Sequence, residues 1–243
     1  MGTFHNRITD ISKATGPTGW YVVSINEENI PVYINQDYDG GGWVCVMANR
    51  RYTAGMNNLT YSNAVNNVNY RTGGSDDATN TTIEFSKDFT TLSNYNIFVG
   101  LKYWSALAGR ESSGNVRIVQ FASGTNGTAL NDTSNHTNRY KWGFSSFNTS
   151  TYAFQSVAGI SDDTSTGTPG FVSMASSGRG LTTFDNDQDT NSGNCSTYYN
   201  NNPFWYTSCW SGNIFAGGGY IDGPYWVSSN AVNSRQYMAL YIK

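Results

Sequence analysis

Short apolar runs, each bounded by glycine, proline or small polar residues, set the pattern of this chain. WYVVSI (20–25), IPVYINQ (30–36) and WVCVMA (43–48) are rich in Val, Ile, Tyr and Trp and predict three β-strands. Between the last two, Asp39-Gly40-Gly41-Gly42 predicts a tight turn in which glycine permits positive φ or close backbone approach. Strand character returns in YNIFVGLKYWSAL (95–107), NVRIVQFAS (115–123), YKWGFSSF (140–147), TYAFQSVAGI (151–160) and the terminal RQYMALYIK (235–243), which is expected to pair back into the main sheet. Helical signals are few. Ile8 to Ala14 reads as a short helix within an arm that Gly16-Pro17 ends, and Asn63 to Asn69 as another short helix. Residues 53–96 are mainly polar, while 122–138 and Asp162 to Pro169 read as loops. No repeat and no linker divides the chain. The pattern predicts an arm (1–18) and one domain (19–243) with a β core and a long irregular C-terminal third. A loop-rich third of that size is expected to be functional, or held by a metal and a disulfide.

Composition narrows the function classes. The 243 residues suffice for a sizeable core. With 13% charged residues and a net charge of −3, nothing favours nucleic acid or an anionic membrane as partner. Aromatics reach 15%, set among Asn, Ser, Thr and Gly, a composition suited to a rigid, wettable binding face. No apolar run approaches membrane-spanning length, and the first twenty residues contain no apolar stretch of the kind a secretory leader needs. Catalysis finds little support. His5 and His136 lie in the arm and in a polar loop, and no nucleophile elbow, HExxH or phosphate-binding loop is present.

The densest candidate chemistry lies between Leu181 and Trp210, LTTFDNDQDTNSGNCSTYYNNNPFWYTSCW. Asp185, Asp187 and Asp189 alternate, and a polar turn containing Asn191 and Gly193 follows. Carboxylates beside flexible carbonyls suit calcium (Ca2+), a hard cation that takes six to eight oxygens. As an EF-hand the segment fails, because its sixth position is Thr190 and its twelfth Ser196. On spacing alone a solvated acidic turn is an equal reading. Of three cysteines, Cys195 and Cys209 are the natural pair, with two free thiols as the alternative in a reducing compartment. Cys45, in an apolar strand, reads as a buried thiol. The aromatic run Phe204-Trp205-Tyr206 looks exposed enough for recognition, although core packing is expected to take Trp205 and Trp226.

Two motifs carry a family resemblance. IPVYINQDYDGGGWVCVMANRR (30–51) resembles the opening signature of fibrinogen-like domains, with Gly40-Gly41-Gly42-Trp43 in register. The segment from Leu181 to Trp210 resembles that family's D-x-D-x-D-x-x-x-G-N-C followed by W-W-Y-x-x-C-H, and Asp222-Gly223-Pro224-Tyr225-Trp226 is similar to its D-x-G-I-Y-W. The likeness runs in order through 19–243, weakest over 53–138. It departs where Ile34 replaces the cysteine of the first bridge, where Trp210 replaces a histidine, and in a tail nearer to the intelectins.

The resemblance implies an α+β fold, a twisted and mainly antiparallel sheet with few short helices, and a calcium and ligand subdomain over about 166–243. It implies calcium held by the side chains of Asp187 and Asp189 and the carbonyls of Asn191 and Gly193, with Asp185 left as a turn residue or a support. It further implies a Cys195–Cys209 disulfide and an oxidising, extracellular setting. The ligand pocket would lie beside the calcium, around a Ser208-Cys209 peptide that is often cis in the family. Trp210, Tyr220 and Tyr225 would form aromatic walls and Asp222 a polar contact. The implied function is a calcium-stabilised, lectin-like module for glycans or acetylated ligands. A low-charge, Asn- and Tyr-rich chain without a visible leader suits a phage or virion appendage that acts in host attachment, assembled as a homo-oligomer or on virion proteins through the arm; a secreted domain lacking its leader is the other source. The competing role is a structural virion protein that uses the fold for protein contacts alone.

Overall fold

The computed structural model describes residues 7–8, 11–50, 58–66, 70–73, 95–108, 116–123, 138–144, 146–155, 158–159, 178–209, 212–213, 225–228, 231–234 and 237–243. Its frame is a ten-stranded sheet, all antiparallel except at one edge. Strands β1 (Arg7–Ile8), β2 (Gly19–Ile25), β3 (Glu28–Asn35) and β4 (Trp43–Arg50) are neighbours in chain order, with β1 parallel to β2. The path continues from β4 to the C-terminal strand, and then to two strands from the middle of the chain. On its other side β4 is shared. Trp43 to Cys45 pair with β3, and Met47-Ala48 pair with β6 (Tyr95–Phe98), beyond which lies β5 (Tyr70–Gly73). This central position explains why Val44 to Ala48 are all buried and why WVCVMA is continuously apolar.

The turns follow from local chemistry. β2 and β3 are joined by Asn26-Glu27, whose φ values of 49° and 68° are those of a two-residue primed turn. At the β3–β4 turn, Asn35 Oδ1 accepts the amides of Asp37 and Tyr38, and Gly40, Gly41 and Gly42 all have φ near +75°. A Cβ at Gly41 would meet the backbone of Gln36 at 2.9 Å, so glycine is required there. Residues 11–18, read as arm from the sequence, lie against this turn. Ile11 is buried in a 3₁₀ turn (Ile11–Lys13), Gln36 donates to the Ala14 carbonyl, and Thr18 donates to Asp37.

The expected strand over YNIFVGLKYWSAL ends at Phe98. A 3₁₀ turn (Leu101–Tyr103) and helix α2 (Trp104–Leu107) replace its second half. The cause is packing. The Trp104 indole turns inward and donates to the Val99 carbonyl, burying the ring completely. Helix α1 spans Tyr61–Asn66, earlier than Asn63–Asn69, because Thr60 accepts the Asn63 amide and Asp185 accepts the Tyr61 amide. β7 (Val116–Ser123) and β8 (Asn138–Phe144) form where expected. YKWGFSSF ends in a separate short strand, β9 (Ser146–Phe147), and TYAFQSVAGI is broken into β10 (Phe154–Gln155) and β11 (Ala158–Gly159).

Among the described residues of the C-terminal third, 178–209 hold little regular structure. The third contributes α3 (Cys195–Tyr198), the small sheet β12 (Gly212–Asn213), β13 (Tyr225–Ser228) and β14 (Ala231–Ser234), and finally β15 (Tyr237–Ile242). β15 inserts between β4 and β7, the return to the sheet that its apolar run predicts. The loops are secured by an aromatic seam. Trp205 packs on Trp104 (5.9 Å) and Phe154 (5.2 Å), which in turn meet Phe144 and Phe147. The Trp205 indole donates to the Tyr152 carbonyl. Replacement of Trp104 by alanine is expected to cost about 3–5 kcal/mol of unfolding free energy in a urea titration, as truncation of a large buried aromatic does.

Candidate functional site

The site begins where the chain leaves Gly180. Leu181, Thr182 and Thr183 are fully buried, and Thr182 exchanges both backbone hydrogen bonds with Phe204. Gly180 is a close-approach position, since a Cβ there would strike the Gln188 amide and the Thr151 carbonyl. Gln188 uses that room to donate to the Leu181 carbonyl, while its amide donates to Thr182 Oγ1. The loop that follows is therefore mounted on buried residues at both ends.

The alternating acidic residues then act in two ways. Asp187 Oδ1 accepts the Asp189 amide (3.1 Å), Asp189 Oδ1 the Asn191 amide (2.8 Å), and Asn191 Oδ1 the Gly193 amide (3.2 Å). Three successive Asx turns thus build the loop from its own side chains. The second oxygen of Asp189 accepts the Cys195 amide at 2.9 Å. Asp185 turns the other way, accepting from Tyr61 and from the Thr183 hydroxyl, so it ties α1 to the loop and stands apart from the Asp187–Asp189 pair.

Asp187 and Asp189 are neighbours in the loop, Asp187 Oδ1 accepting the Asp189 amide. Partial burial pushes the Asp189 carboxyl up, against the Cys195 and Asn191 amides that draw it down, and the charge of Asp187 adds to the rise. Two like charges held together favour a cation between them. Among the described residues, no hydrogen bond uses the Asn191 or Gly193 carbonyl. No three His, Cys, Asp or Glu side chains converge among the described residues, and the oxygens the loop offers are those of the two carboxylates and of the Asn191 and Gly193 carbonyls. Hard oxygens of this kind suit calcium and do not suit a metal that prefers nitrogen or sulfur.

Beyond the loop, Asn194 caps α3. Its Oδ1 accepts the Thr197 amide and its Nδ2 donates to the Thr183 carbonyl. The Cys195–Cys209 bridge is present, with Cα atoms 4.9 Å apart. A second link lies beside it, where the Thr190 amide and hydroxyl both donate to the Thr207 carbonyl at 2.7 Å. Cys45 is wholly buried and its thiol is pushed well up by burial, as its apolar strand suggests.

A groove of about 600 Å³ opens on this assembly. Its walls are Asn191 and Gly193 of the acidic loop, Asn194, Thr197 to Tyr199 around α3, and Ser208-Cys209. Ser208 and Cys209 thus line a cavity beside the acidic loop, but the peptide between them is trans, in contrast to the cis form common in the family. The strain sits instead in Cys209, whose φ of 64° is rare for a residue with a side chain. Trp210, Tyr220 and Asp222 lie outside the described residues, as does the side chain of Tyr225, whose backbone is in β13. The run Phe204-Trp205-Tyr206 is fully buried, so it supports the groove from below and forms no exposed aromatic cluster.

Tyr198 and Tyr199 are lining residues that the sequence reading passed over. Tyr199 is buried and stacks on Tyr206 (5.6 Å, 22°), and Tyr198 meets Tyr199 edge-on (5.2 Å, 86°). The available signal was an aromatic pair in an otherwise polar stretch, three and four residues past a bridging cysteine.

Comparison with known proteins agrees with this architecture. The family model for the C-terminal globular domain of fibrinogen beta and gamma chains matches residues 8–239. The chain belongs to that fibrinogen-like family. Among solved structures, it is similar to the fibrinogen-like globe domain of human ANGPTL6, at 19% identity and a TM-score of 0.63, covering 100% of this chain and 97% of that one. It is also similar to the corresponding domain of human ANGPTL2, at 19% identity and a TM-score of 0.55, covering 97% and 98%. No curated protein sequence matches significantly. Fibrinogen-like domains are recognition modules, generally non-enzymatic and typically extracellular. Among the described residues no helix is long and apolar enough to cross a membrane.

The bridge closes a loop of about 15 residues, worth about 3 kcal/mol in the chain-entropy model. The paired Cys195→Ser and Cys209→Ser variant is expected to lose about that much stability in urea. Cleavage by protease within 185–209 should rise more than elsewhere, and equal cleavage throughout would show that the bridge does not hold this loop.

Proposed function

We propose that the chain is a calcium-stabilised, lectin-like recognition module that binds a glycan or acetylated ligand in the groove between the acidic loop and Ser208-Cys209. The observation that carries this reading is the coupling of groove and loop. Asp189 holds the Cys195 amide, Cys195 is bonded to Cys209, and Thr190 is bonded to Thr207. Asp187 and Asp189 by side chain, and Asn191 and Gly193 by carbonyl, would hold the ion, which when bound supplies a fixed positive charge between two carboxylates. The chain's own residues do the rest. The Asx turns place the donors, the disulfide fixes Cys209 in its unusual conformation, and Tyr199 on Tyr206 fills the space beneath.

The setting that suits this module is an exposed surface, extracellular or on a virion appendage acting in host attachment. Its partners there are the ligand and, through the N-terminal segment, further copies or virion proteins. The low charge and the abundance of Asn, Gly and Tyr support an exposed location.

Calcium at a concentration 100 times its Kd is expected to add about 2.7 kcal/mol of stability, read as a higher thermal midpoint. Asp187→Ala should abolish that shift, and binding to acetylated sugars should be lost both in this variant and in chelator. Binding that survives chelator would overturn the calcium dependence. No binding to any glycan, together with a symmetric assembly through residues 1–20, would favour the purely structural virion role.

A further inference from the structure

We infer that Asp185 is a positioning residue of the acidic loop, raising its affinity for calcium by joining it to helix α1 without touching the ion. This rests on the calcium reading proposed above, and goes further by naming a residue outside the ion's donor set and the element through which it acts. Asp185 does not join Asp187 and Asp189 in a metal cluster, since no three acidic side chains converge in that way among the described residues. It sits in the turn from which the loop starts. Thr183 and Asn186 exchange backbone hydrogen bonds across that turn (2.9 and 3.2 Å). Inside it, Asp185 Oδ1 accepts from the hydroxyl of the buried Thr183 (2.7 Å) and from the amide of Tyr61, the first residue of α1 (2.9 Å). Both lone pairs of that oxygen are thereby engaged. Asp187, the first carboxylate offered to the ion, follows directly after this turn.

A tether positions its load only if the other end is fixed, and α1 is fixed on several sides. Leu59 and Ala64 are fully buried, the Tyr61 hydroxyl donates to the Ser150 carbonyl (3.0 Å), and the Asn66 carbonyl accepts from the Tyr103 hydroxyl (3.4 Å). Just before the helix, the Asn58 amide donates to the Asn201 carbonyl (3.3 Å) and Asn201 Nδ2 donates to Asn58 Oδ1 (2.7 Å). Asn201 lies within the loop that the Cys195–Cys209 bridge closes. Residues 58–61 therefore have one foot on the acidic loop, at Asp185, and another on the disulfide loop, at Asn201. Calcium needs its oxygens to converge at about 2.3–2.6 Å, so the aim of Asp187 depends on what holds the turn before it. Partners that orient metal ligands from outside the donor set typically contribute about 10–100-fold to affinity. Asp185 does so through an oxygen that accepts hydrogen bonds, a property that asparagine shares.

The test is calcium titration of the full chain by calorimetry at about 0.15 M salt, which screens exposed charges over about 8 Å. Asp185→Ala should weaken calcium binding about tenfold. Asp185→Asn keeps an accepting oxygen but loses the charge, and should stay within about threefold of the wild type. Tyr61→Pro removes the amide donor at the first position of the helix, where proline is tolerated. Measured against Tyr61→Ala, it should weaken binding as Asp185→Ala does. Hydrogen exchange of the calcium-free chain reads the same effect without the ion. The Asn191 and Gly193 amides should exchange faster in Asp185→Ala and at the wild-type rate in Asp185→Asn. Equal losses of affinity in Asp185→Asn and Asp185→Ala would overturn the inference, because Asp185 would then act by its charge or as a ligand. Wild-type affinity in Asp185→Ala, with only a lower thermal midpoint, would overturn it too and leave the calcium reading intact. Equal affinity of Tyr61→Pro and Tyr61→Ala would overturn the route through α1. A wild type that binds no calcium would remove the calcium reading and this inference together.

Discussion

The aromatic seam of Trp104, Phe154 and Trp205 is the contact on which the loops of 178–209 depend. Among the described residues, the segment 178–209 has only isolated backbone bridges, such as Thr182 with Phe204, so its loops depend on side-chain packing for their shape. Trp205 brings them to the sheet, burying one large ring against two others and placing its indole hydrogen bond on Tyr152. Its neighbours in the chain follow. Phe204 pairs with Thr182, and Tyr206 lies under Tyr199. The groove above is then a surface built on a core, and its polar walls need satisfy only local demands.

Within that surface, the acidic loop resolves a conflict of charge by geometry. Asp187 and Asp189 are held close by amides of the same loop, so the cost of bringing two carboxylates together is offset in part by hydrogen bonds and in part by any cation they share. Because one of those amides belongs to Cys195, the loop is joined by that hydrogen bond to the disulfide, and through it to the wall of the groove. Coupling of this kind needs no long pathway. It needs only that the two oxygens of one carboxylate serve two neighbours at once.

Much of this was legible beforehand, for identifiable reasons. Strands such as WVCVMA and RQYMALYIK are apolar because they lie in the middle of a sheet, and burial on both faces leaves that mark in sequence. The polar turn after the alternating aspartates was legible because Asp and Asn bond their own backbone two residues on. YNIFVGLKYWSAL misled because its apolar residues suit a strand or a short helix equally, and the choice fell to Trp104, whose ring found a place in the seam. The same ambiguity hid the aromatic division of labour. Phe204, Trp205 and Tyr206 and the pair Tyr198-Tyr199 are alike as letters, yet four of the five are buried and one is exposed.

By itself, then, the amino-acid order determined what local chemistry can determine. It set the strands, the glycine turn after β3, the self-bonding acidic loop and the pair of cysteines that could bridge. The tertiary structure alone decided which aromatic faces water, which carboxylate leaves the acidic group to tie down α1, and that the Ser208–Cys209 peptide is trans with its strain placed in Cys209. Those outcomes depend on contacts between residues far apart in the chain, such as Tyr61 with Asp185 and Trp104 with Trp205. No periodicity or spacing records such contacts, because each residue's neighbours are known only once the sheet has brought them together.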